Sequence, residues 1–373
     1  MSAKPSPGIG GTGGRAGRLA MRALRGTAIL LVLLAAGHAL LWHWLGNRLE
    51  EGLAAWAAAR RAQGWHVEHG PPQRGGWPFA ATLALPRFRL EGPAVSLPGG
   101  IGWQADSLVL RLSPPRLDRL GLEAQGRQRL RLGLAEFPVL ADRLTASLPV
   151  ESAALPGEVT AEATQLRIGT AAGEAGIGAA RLEFHSRAPA ARGEPAVTLR
   201  LAADRLTLPP KLAEASPVIA RLGGSLDRLV ADLALTGPMP TAGDPTGSAM
   251  AWRDGGGTLE LRNLDLRWGR ISATAMATLT LDEALQPMGA GTLRLAGGGE
   301  VLDAATAGGL LTVRAAATAR SVLALLSRTP PEGGPPRIEV PLTLEDGVLA
   351  LARFPLARLP PWTWPPPSGG GRG

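Results

Sequence analysis

The chain has 373 residues, 45% of them hydrophobic and only 4% aromatic, and its formal net charge is +8. Residues 1–25 hold five basic side chains and no acid, whereas the arginines further along alternate with aspartate and glutamate. A nucleic-acid-binding surface needs clustered positive charge, usually with aromatic side chains among it, so nucleic acid is excluded as an expected partner. The basic cluster lies beside an apolar run instead, which predicts a membrane surface as its partner.

A single membrane-spanning helix is predicted at residues 27–45, whose sequence TAILLVLLAAGHALLWHWL carries no formal charge. About 20 apolar residues cross a bilayer core. Trp42 and Trp44 lie at the C-terminal end of the run, where amphipathic rings prefer the membrane interface. By the positive-inside rule, the basic residues 1–26 are expected to stay in the cytoplasm. They are predicted to form a disordered tail. The chain after the span is then expected to cross the inner membrane into the periplasm.

The apolar run has two other interpretations, a cleaved signal peptide and a buried core helix. Gly37-His38-Ala39 offers a small-x-small cleavage site for a signal peptide, but the apolar residues continue beyond it through Leu40, Leu41 and Trp42. An uncleaved anchor is therefore favoured, and both interpretations export the rest of the chain. A buried core helix would explain neither the arginine cluster nor the tryptophans.

A membrane-proximal helix is predicted at residues 46–64. Leu49, Leu53 and Trp56 recur at helical spacing, and Gly64 provides a C-terminal stop. The apolar stripe fits packing against the following domain, which we favour, or contact with the membrane surface.

Residues 65–359 are predicted to form a mainly β domain of curved antiparallel sheets with a few short helices. Apolar residues recur at every second position, and turn residues interrupt them about every ten residues. The clearest case is a long hairpin at 258–282, turning at Trp268-Gly269-Arg270. Outside the strands the pattern predicts helices at 211–222 and 315–327, loops at 237–247 and 328–336, and a disordered Pro/Gly tail at 360–373.

Two local features carry packing predictions. Gly75 and Gly76 permit a sharp turn before Trp77-Pro78-Phe79, and we expect Trp77 and Phe79 to plug one end of the core. Ala275 lies at the centre of an alanine-rich row in the long hairpin, which predicts either a closely packed facing element or a trough for a ligand chain.

No residue pattern indicates catalysis. The chain has no cysteine and no nucleophile-elbow or phosphate-loop motif, and Gly255–Gly257 and Gly297–Gly299 are interpreted as turns between strands. His66, Glu68 and His69 form the one metal-like cluster, but on a strand His69 would point away from the other two, so solvated loop residues are favoured. His185 is interpreted as a surface or core histidine. We therefore expect no enzyme, and no catalytic, cofactor-binding or metal-binding residue.

The chain resembles the domain-of-unknown-function family 2125 of exported, membrane-anchored bacterial proteins over residues 20–360. The resemblance is carried by glycine-tryptophan corners and turn motifs at residues 64–67, 75–79, 255–259, 266–269, 285–287, 341–347 and 354–356. This family implies no activity and no functional residues. More distantly, the strand–turn texture is similar to AsmA/TamB-like envelope proteins, whose curved sheets offer an apolar groove to lipid chains.

These observations predict a non-catalytic, inner-membrane-anchored envelope protein that binds lipid or another apolar ligand on a curved β-sheet. The alternative is a structural or interaction scaffold of the envelope, with a closed core and no ligand. An envelope hydrolase is the third and least favoured possibility. The inner membrane, a lipid and another envelope protein are thus the expected partners.

Overall fold

The strands of the protein belong to one antiparallel sheet that follows a long N-terminal helix. A computed structural model describes residues 13–92, 100–150, 157–187, 190–238, 245–309, 312–328, 336–351 and 354–364. Strands are the main secondary structure in these ranges, and the helices after the first are short. The predicted fold class, mainly β behind an apolar N-terminal helix, is therefore confirmed.

The described elements follow in chain order. The helices are α1 (Gly13–Ala62), α2 (Pro210–Ala215), α3 (Pro217–Leu222), α4 (Pro245–Asp254), α5 (Gly298–Ala307) and α6 (Val313–Leu326). The first nine strands are β1 (His66–Glu68), β2 (Gln73–Gly75), β3 (Ala81–Gly92), β4 (Ile101–Ser113), β5 (Arg116–Leu132), β6 (Ala135–Leu140), β7 (Arg143–Pro149), β8 (Glu158–Thr170) and β9 (Gly173–Ser186). The later strands are β10 (Pro195–Thr207), β11 (Ser225–Thr236), β12 (Leu259–Trp268), β13 (Ile271–Leu281), β14 (Pro287–Ala296), β15 (Arg337–Glu345), β16 (Val348–Leu351) and β17 (Phe354–Arg358).

The sheet is a meander in which sequence neighbours pair. From β3 to β17 each strand pairs antiparallel with the next, except that β6 and β7 together fill the place between β5 and β8. β1 and β2 both pair with β3, on the side away from β4. Antiparallel neighbours need only tight turns between them, which agrees with the frequent turn residues in the sequence.

Helix α1 is continuous through the predicted span and the predicted membrane-proximal helix. It begins at Gly13 rather than at Thr27, so residues 13–26, predicted to be disordered, are helical. Leu, Ala and Arg have high helix propensity, and extending an existing helix carries no new nucleation cost. The predicted tail's residues 1–12 lie outside the described ranges. By length and composition α1 can cross a membrane.

The upper part of α1 packs against the start of the sheet. Leu45, Leu49 and Ala57 are buried in one cluster with Leu83 and Leu85 of β3, which are fully buried. Burying a leucine side chain contributes about 1.5–3 kcal/mol. The prediction that the stripe at Leu49 and Leu53 packs on the domain is confirmed, although Trp56 of the same stripe is exposed.

An ion pair fixes α1 to the sheet edge beside this cluster. Arg74 of β2 donates from Nε and Nη2 to the two carboxylate oxygens of Glu50, at 2.6 and 2.7 Å. These hydrogen bonds hold the pKa of Glu50, which lies beyond the predicted span, below its ordinary value. Since the bonds favour the ionised carboxylate, their contribution to stability is present at neutral pH and is lost as the pH falls through the folded-state pKa.

A line of backbone irregularities crosses β3 to β11. Arg87, Gln165 and Arg205 have positive φ in mid-strand, which is uncommon for residues other than glycine. The strand registers place these irregularities side by side across the sheet. We call this set the bulge line; its members are Arg87, Asp106, Gly126, Arg127, Ala141, Asp142, Gln165, Gly178, Arg205 and Asp227. Such bulges bend strands and re-aim their side chains.

The helical segments differ from prediction in detail. The helix predicted at 211–222 is divided into α2 and α3 at Pro217, where Ser216 caps the second helix. The helix predicted at 315–327 is present as α6. Helices α4 and α5 were not predicted: α4 begins inside the predicted loop 237–247, and α5 follows Gly297, interpreted above as a turn between strands. The glycine N-cap of α5 has no side chain that could mark the start of a helix by a capping hydrogen bond. Glycine also has low helix propensity, so the sequence did not predict a helix there.

Two predicted irregular segments lie partly outside the described ranges, namely residues 239–244 of the first loop and 329–335 of the second. The C-terminal tail is ordered where it is described. Trp362 donates its backbone N–H to Gln286 Oε1 at 2.8 Å, and Trp364 donates from Nε1 to the Leu285 carbonyl at 3.0 Å. Residues 360–364, predicted to be disordered, are therefore held against the turn before β14.

The long predicted hairpin is formed by β12 and β13. Ala275 is buried and lies between Leu264 and Leu293 on the neighbouring strands. Helix α5 contacts β13 and α6 contacts β15, and a Cβ at Gly298 would lie 3.2 Å from Leu323 of α6. Helices therefore lie near these strands, and the burial of Ala275 itself favours a facing protein element over an open trough.

The substitution Ala275→Phe tests this packing. We expect overpacking to lower the free energy of unfolding by about 1–3 kcal/mol, measured by urea denaturation. Met276→Phe is the matched control, because the neighbouring side chain is half exposed and should change stability by no more than about 0.5 kcal/mol. Unchanged stability of the Ala275→Phe protein would contradict a facing protein element and would support an open trough at this position.

Candidate anion-binding groove

A groove of about 1120 Å³ runs along the first half of the bulge line. Its walls come from β3, β4, β5, β6, β8 and β9, with Arg61 near the end of α1 and the segment 67–70 closing one side. Charged and polar side chains predominate in its lining, so it differs from the apolar groove expected from the sequence.

Positive charge is the main property of this groove. Six arginines face three carboxylates, Glu68, Asp106 and Glu174, and one histidine, His69. The arginines are Arg61, Arg87, Arg89, Arg127, Arg129 and Arg167. Guanidinium groups bind phosphate and carboxylate oxygens with paired, charge-assisted hydrogen bonds. The arrangement therefore suits an anionic ligand.

The bulge line explains why so many charged side chains meet here. Regular strands send successive side chains to opposite faces. At Arg87, and at Gly126-Arg127 opposite Asp106, the register is interrupted, and the Asp106 carboxylate accepts from the Arg127 backbone N–H at 2.8 Å. Residues that follow one another in the sequence, such as 127–129, consequently line the same groove.

Some groove arginines have acidic partners and others have none. Arg127 lies 3.9 Å from Asp106, and Arg129 lies 3.7 Å from Glu136, both in exposed pairs. Exposed pairs of this kind contribute little stability. Within the described part of the chain no carboxylate pairs with Arg87 or Arg167, so their charge is available to a ligand.

Gln128 adds a second, independent sign of a binding site. It lines the groove, is only 5% exposed, and its side-chain oxygen accepts from Trp103 Nε1 at 3.3 Å. Its Nε2 is buried without a hydrogen-bond partner among the described residues. A buried amide donor left without a partner costs about 1–3 kcal/mol, so its retention here points to a function other than stability.

The cluster singled out in the sequence lies partly in this groove. His66 Nε2 is 2.8 Å from Glu68 Oε1, and His69 Nδ1 is 2.9 Å from the Gly70 carbonyl oxygen, while Glu68 and His69 both line the groove. The described residues include no group of three or more histidine, aspartate or glutamate side chains that could hold a metal. His185 lies exposed on β9, beside Glu158 of β8.

The expectation that Trp77 and Phe79 plug the core is wrong. Trp77 is 52% exposed and Phe79 is 85% exposed. Both belong to the turn between β2 and β3, which lies against α1 outside the sheet core. The glycines that indicated a sharp turn do form one, with Gly76 at φ +88°, but the Trp77 ring packs beside His38 and Trp42 of α1.

The groove arginines were not predicted as a set. In the sequence they are scattered from 61 to 167, and each resembles an ordinary residue of a wet strand face. The sequence does contain one sign of the bulges that bring these arginines together. A glycine or a charged residue interrupts the alternating pattern of a strand, as at Gly126-Arg127.

A family model described as "Uncharacterized protein conserved in bacteria (DUF2125)" matches residues 42–360. This is the family that the sequence motifs resembled. Neither the curated proteins nor the solved structures contain a match to the chain.

The substitution Gln128→Leu tests the cost of the unpaired amide. Leucine removes the unpartnered donor but also removes the acceptor of Trp103 Nε1, and these two effects oppose each other, so the free energy of unfolding should change by no more than about 1 kcal/mol. Gln125→Leu, at an exposed position on the same strand, is the control. A loss of more than about 1 kcal/mol, specific to Gln128, would show that the amide is satisfied in the free protein.

Proposed function

The chain belongs to the DUF2125 family of uncharacterised proteins conserved in bacteria, and we propose that it is a non-catalytic binding protein of the cell envelope. In this proposal α1 anchors the chain in the inner membrane, the sheet lies in the periplasm, and the arginine-lined groove binds the anionic head of a lipid molecule. The positive charge of the groove is the observation that carries the proposal.

The anchor is supported by the lower part of α1. Residues 24–41 expose every side chain, and the large apolar ones from Ile29 to Leu34 are each more than half exposed. A soluble protein rarely leaves so continuous an apolar surface uncovered. The basic residues from Arg15 to Arg25 precede it, which supports an N-terminus on the cytoplasmic side.

The position of the groove limits how a lipid would reach it. Leu45, where α1 enters the domain, and Arg61, at the groove, are separated by about 24 Å along the helix at about 1.5 Å per residue. If α1 stands upright in the membrane, this distance supports a groove that lies above the headgroups. Its ligand would be a molecule that has left the bilayer.

The groove residues fit such a molecule in two parts. Arg87 and Arg167, which have no described acidic partner, are the natural contacts for a phosphate. Pro138, Val139 and Leu140 of β6 give the groove an apolar wall beside them, against which part of an acyl chain can pack. The described lining contains no hydroxyl or thiol side chain, which supports binding over nucleophilic catalysis.

The scaffold alternative has one observation in its favour. Ala273 and Ala275 of β13 and Ile338 and Val340 of β15 are buried, so the described part of this sheet face leaves no open apolar strip at Ala275. A protein that acts only through its outer surface would have such a filled core, and it would bind no lipid in the groove.

The double variant Arg87→Gln and Arg167→Gln tests the binding proposal. The full-length protein is placed in phosphatidylcholine nanodiscs and titrated with short-chain phosphatidylglycerol below its micelle concentration. Each lost charge-assisted bond contributes about 1.5–3 kcal/mol, so the double variant should bind at least about tenfold more weakly.

The controls separate lipid binding from other outcomes. Arg294→Gln on β14, whose side chain pairs with Glu339 away from the groove lining, should bind normally. Short-chain phosphatidylcholine should bind weakly, because its head has no net charge. Equal binding of inorganic phosphate would show a simple anion site, and unchanged binding by the double variant would exclude the groove.

The orientation is tested with alkaline phosphatase, which is active only outside the cytoplasm. A fusion after Gly64, beyond the end of α1, should be active, whereas a fusion after Arg25 should be inactive. Activity with the reverse pattern would place the sheet in the cytoplasm.

A further inference from the structure

The turn between β2 and β3 is fastened to the part of α1 that belongs to the predicted span. His38 Nε2 lies 2.6 Å from the Pro78 carbonyl oxygen, and Trp42 Nε1 donates to the Ala80 carbonyl at 2.9 Å. The Trp77 ring centroid is 4.9 Å from that of His38 and 5.9 Å from that of Trp42, edge-on to the latter. We call residues 76–80 the docking turn.

The docking turn is apolar and uncovered in spite of these contacts. Trp77 is half exposed and Phe79 is 85% exposed. Residues 75–81 carry no charged side chain, and the nearest one before them, Arg74, is held by Glu50 on the upper part of α1. Two large rings are thus exposed on a turn that carries no charged side chain of its own.

The height of the docking turn on α1 identifies what surrounds it. One face of the helix is buried against the domain from Leu45 upwards, at Leu45, Leu49 and Ala57, whereas the side chains of residues 24–41 are all exposed. His38 lies about 10 Å below Leu45 along the helix axis. The docking turn therefore lies beside the upper end of the exposed apolar segment, where a spanning helix meets the membrane–water interface.

We propose that Trp77 and Phe79 insert into the outer interface of the bilayer that α1 spans, as a second membrane contact of the chain. Aromatic rings favour this region because they combine a large apolar surface with tolerance of the nearby polar heads. Leu41 of α1, which is exposed, and Pro78 of the turn line the same small cavity, so the exposed surface of the turn is continuous with that of α1 at Leu41. That continuity favours the same bilayer over a separate protein partner as the occupant.

Two contacts hold the domain more firmly than one helix can. A single helix leaves the domain free to rotate about the helix axis and to tilt, whereas a second contact beside α1 limits both motions. The start of β3, beside the docking turn, is then held towards the membrane, and the groove wall at Arg87 to Arg89 lies further along the same strand.

The chain has no cysteine, so single cysteines can be introduced without removing native ones. Phe79→Cys is prepared in the full-length protein in phosphatidylethanolamine/phosphatidylglycerol nanodiscs and carries a nitroxide spin label. Leu40→Cys on α1 is the lipid reference, and Leu134→Cys, 98% exposed at the β5–β6 turn, is the water reference. Collision rates with oxygen, which enriches in lipid, and with a nickel complex, which stays in water, are measured for each label.

The label at residue 79 should have collision rates similar to those of the label at residue 40. Its oxygen collision rate should be higher, and its nickel collision rate lower, than those of the label at residue 134. Nickel accessibility equal to that at residue 134 would overturn the proposal. A label shielded from both reagents and immobilised would also overturn it, because a protein surface would then cover the turn. The inference rests on the anchor, and a water-accessible label at residue 40 would identify failure of the anchor itself.

Discussion

The burial of Leu45 and Leu49 against Leu83 and Leu85 is the contact on which the remaining architecture depends. Because α1 is one continuous helix, this contact fixes both its upper and its lower part relative to the sheet. The lower part can then present apolar side chains to lipid while the upper part serves as core. The strand that receives the helix, β3, is also the first long strand of the meander, so every later strand takes its position from it.

The bulge line determines where the chemistry of the sheet lies. A regular antiparallel sheet would distribute these arginines over two faces, and neighbouring acids would neutralise them in pairs, as Arg200 and Asp232 do at 2.9 Å. Interruptions at Arg87 and Gly126 place arginines from several strands around one groove. Gly169 contributes by close approach, since a Cβ there would lie 2.5 Å from Pro138 on the neighbouring strand.

The candidate site was the least predictable part of the molecule from the sequence. The strand pattern at 127–132 indicates a half-buried strand but gives no reason to join Arg127 with Arg87 or Arg167. Trp77 shows the same difficulty for an aromatic residue. A glycine-flanked tryptophan indicates a corner, but whether the ring turns inwards or towards a helix depends on partners about 35–40 residues away in the chain.

The sequence by itself determined the features that depend on local order. These are the apolar helix at 27–45, its extension to the glycine stop, the period of two along the strands, and the hairpin at 258–282, because each rests on spacing within one segment. Only the tertiary structure decided how α1 meets β3, that Ala275 is buried, and which arginines share a groove. Those features depend on register and on bulges across many strands, and pairing distant segments is not encoded in the periodicity of any one of them.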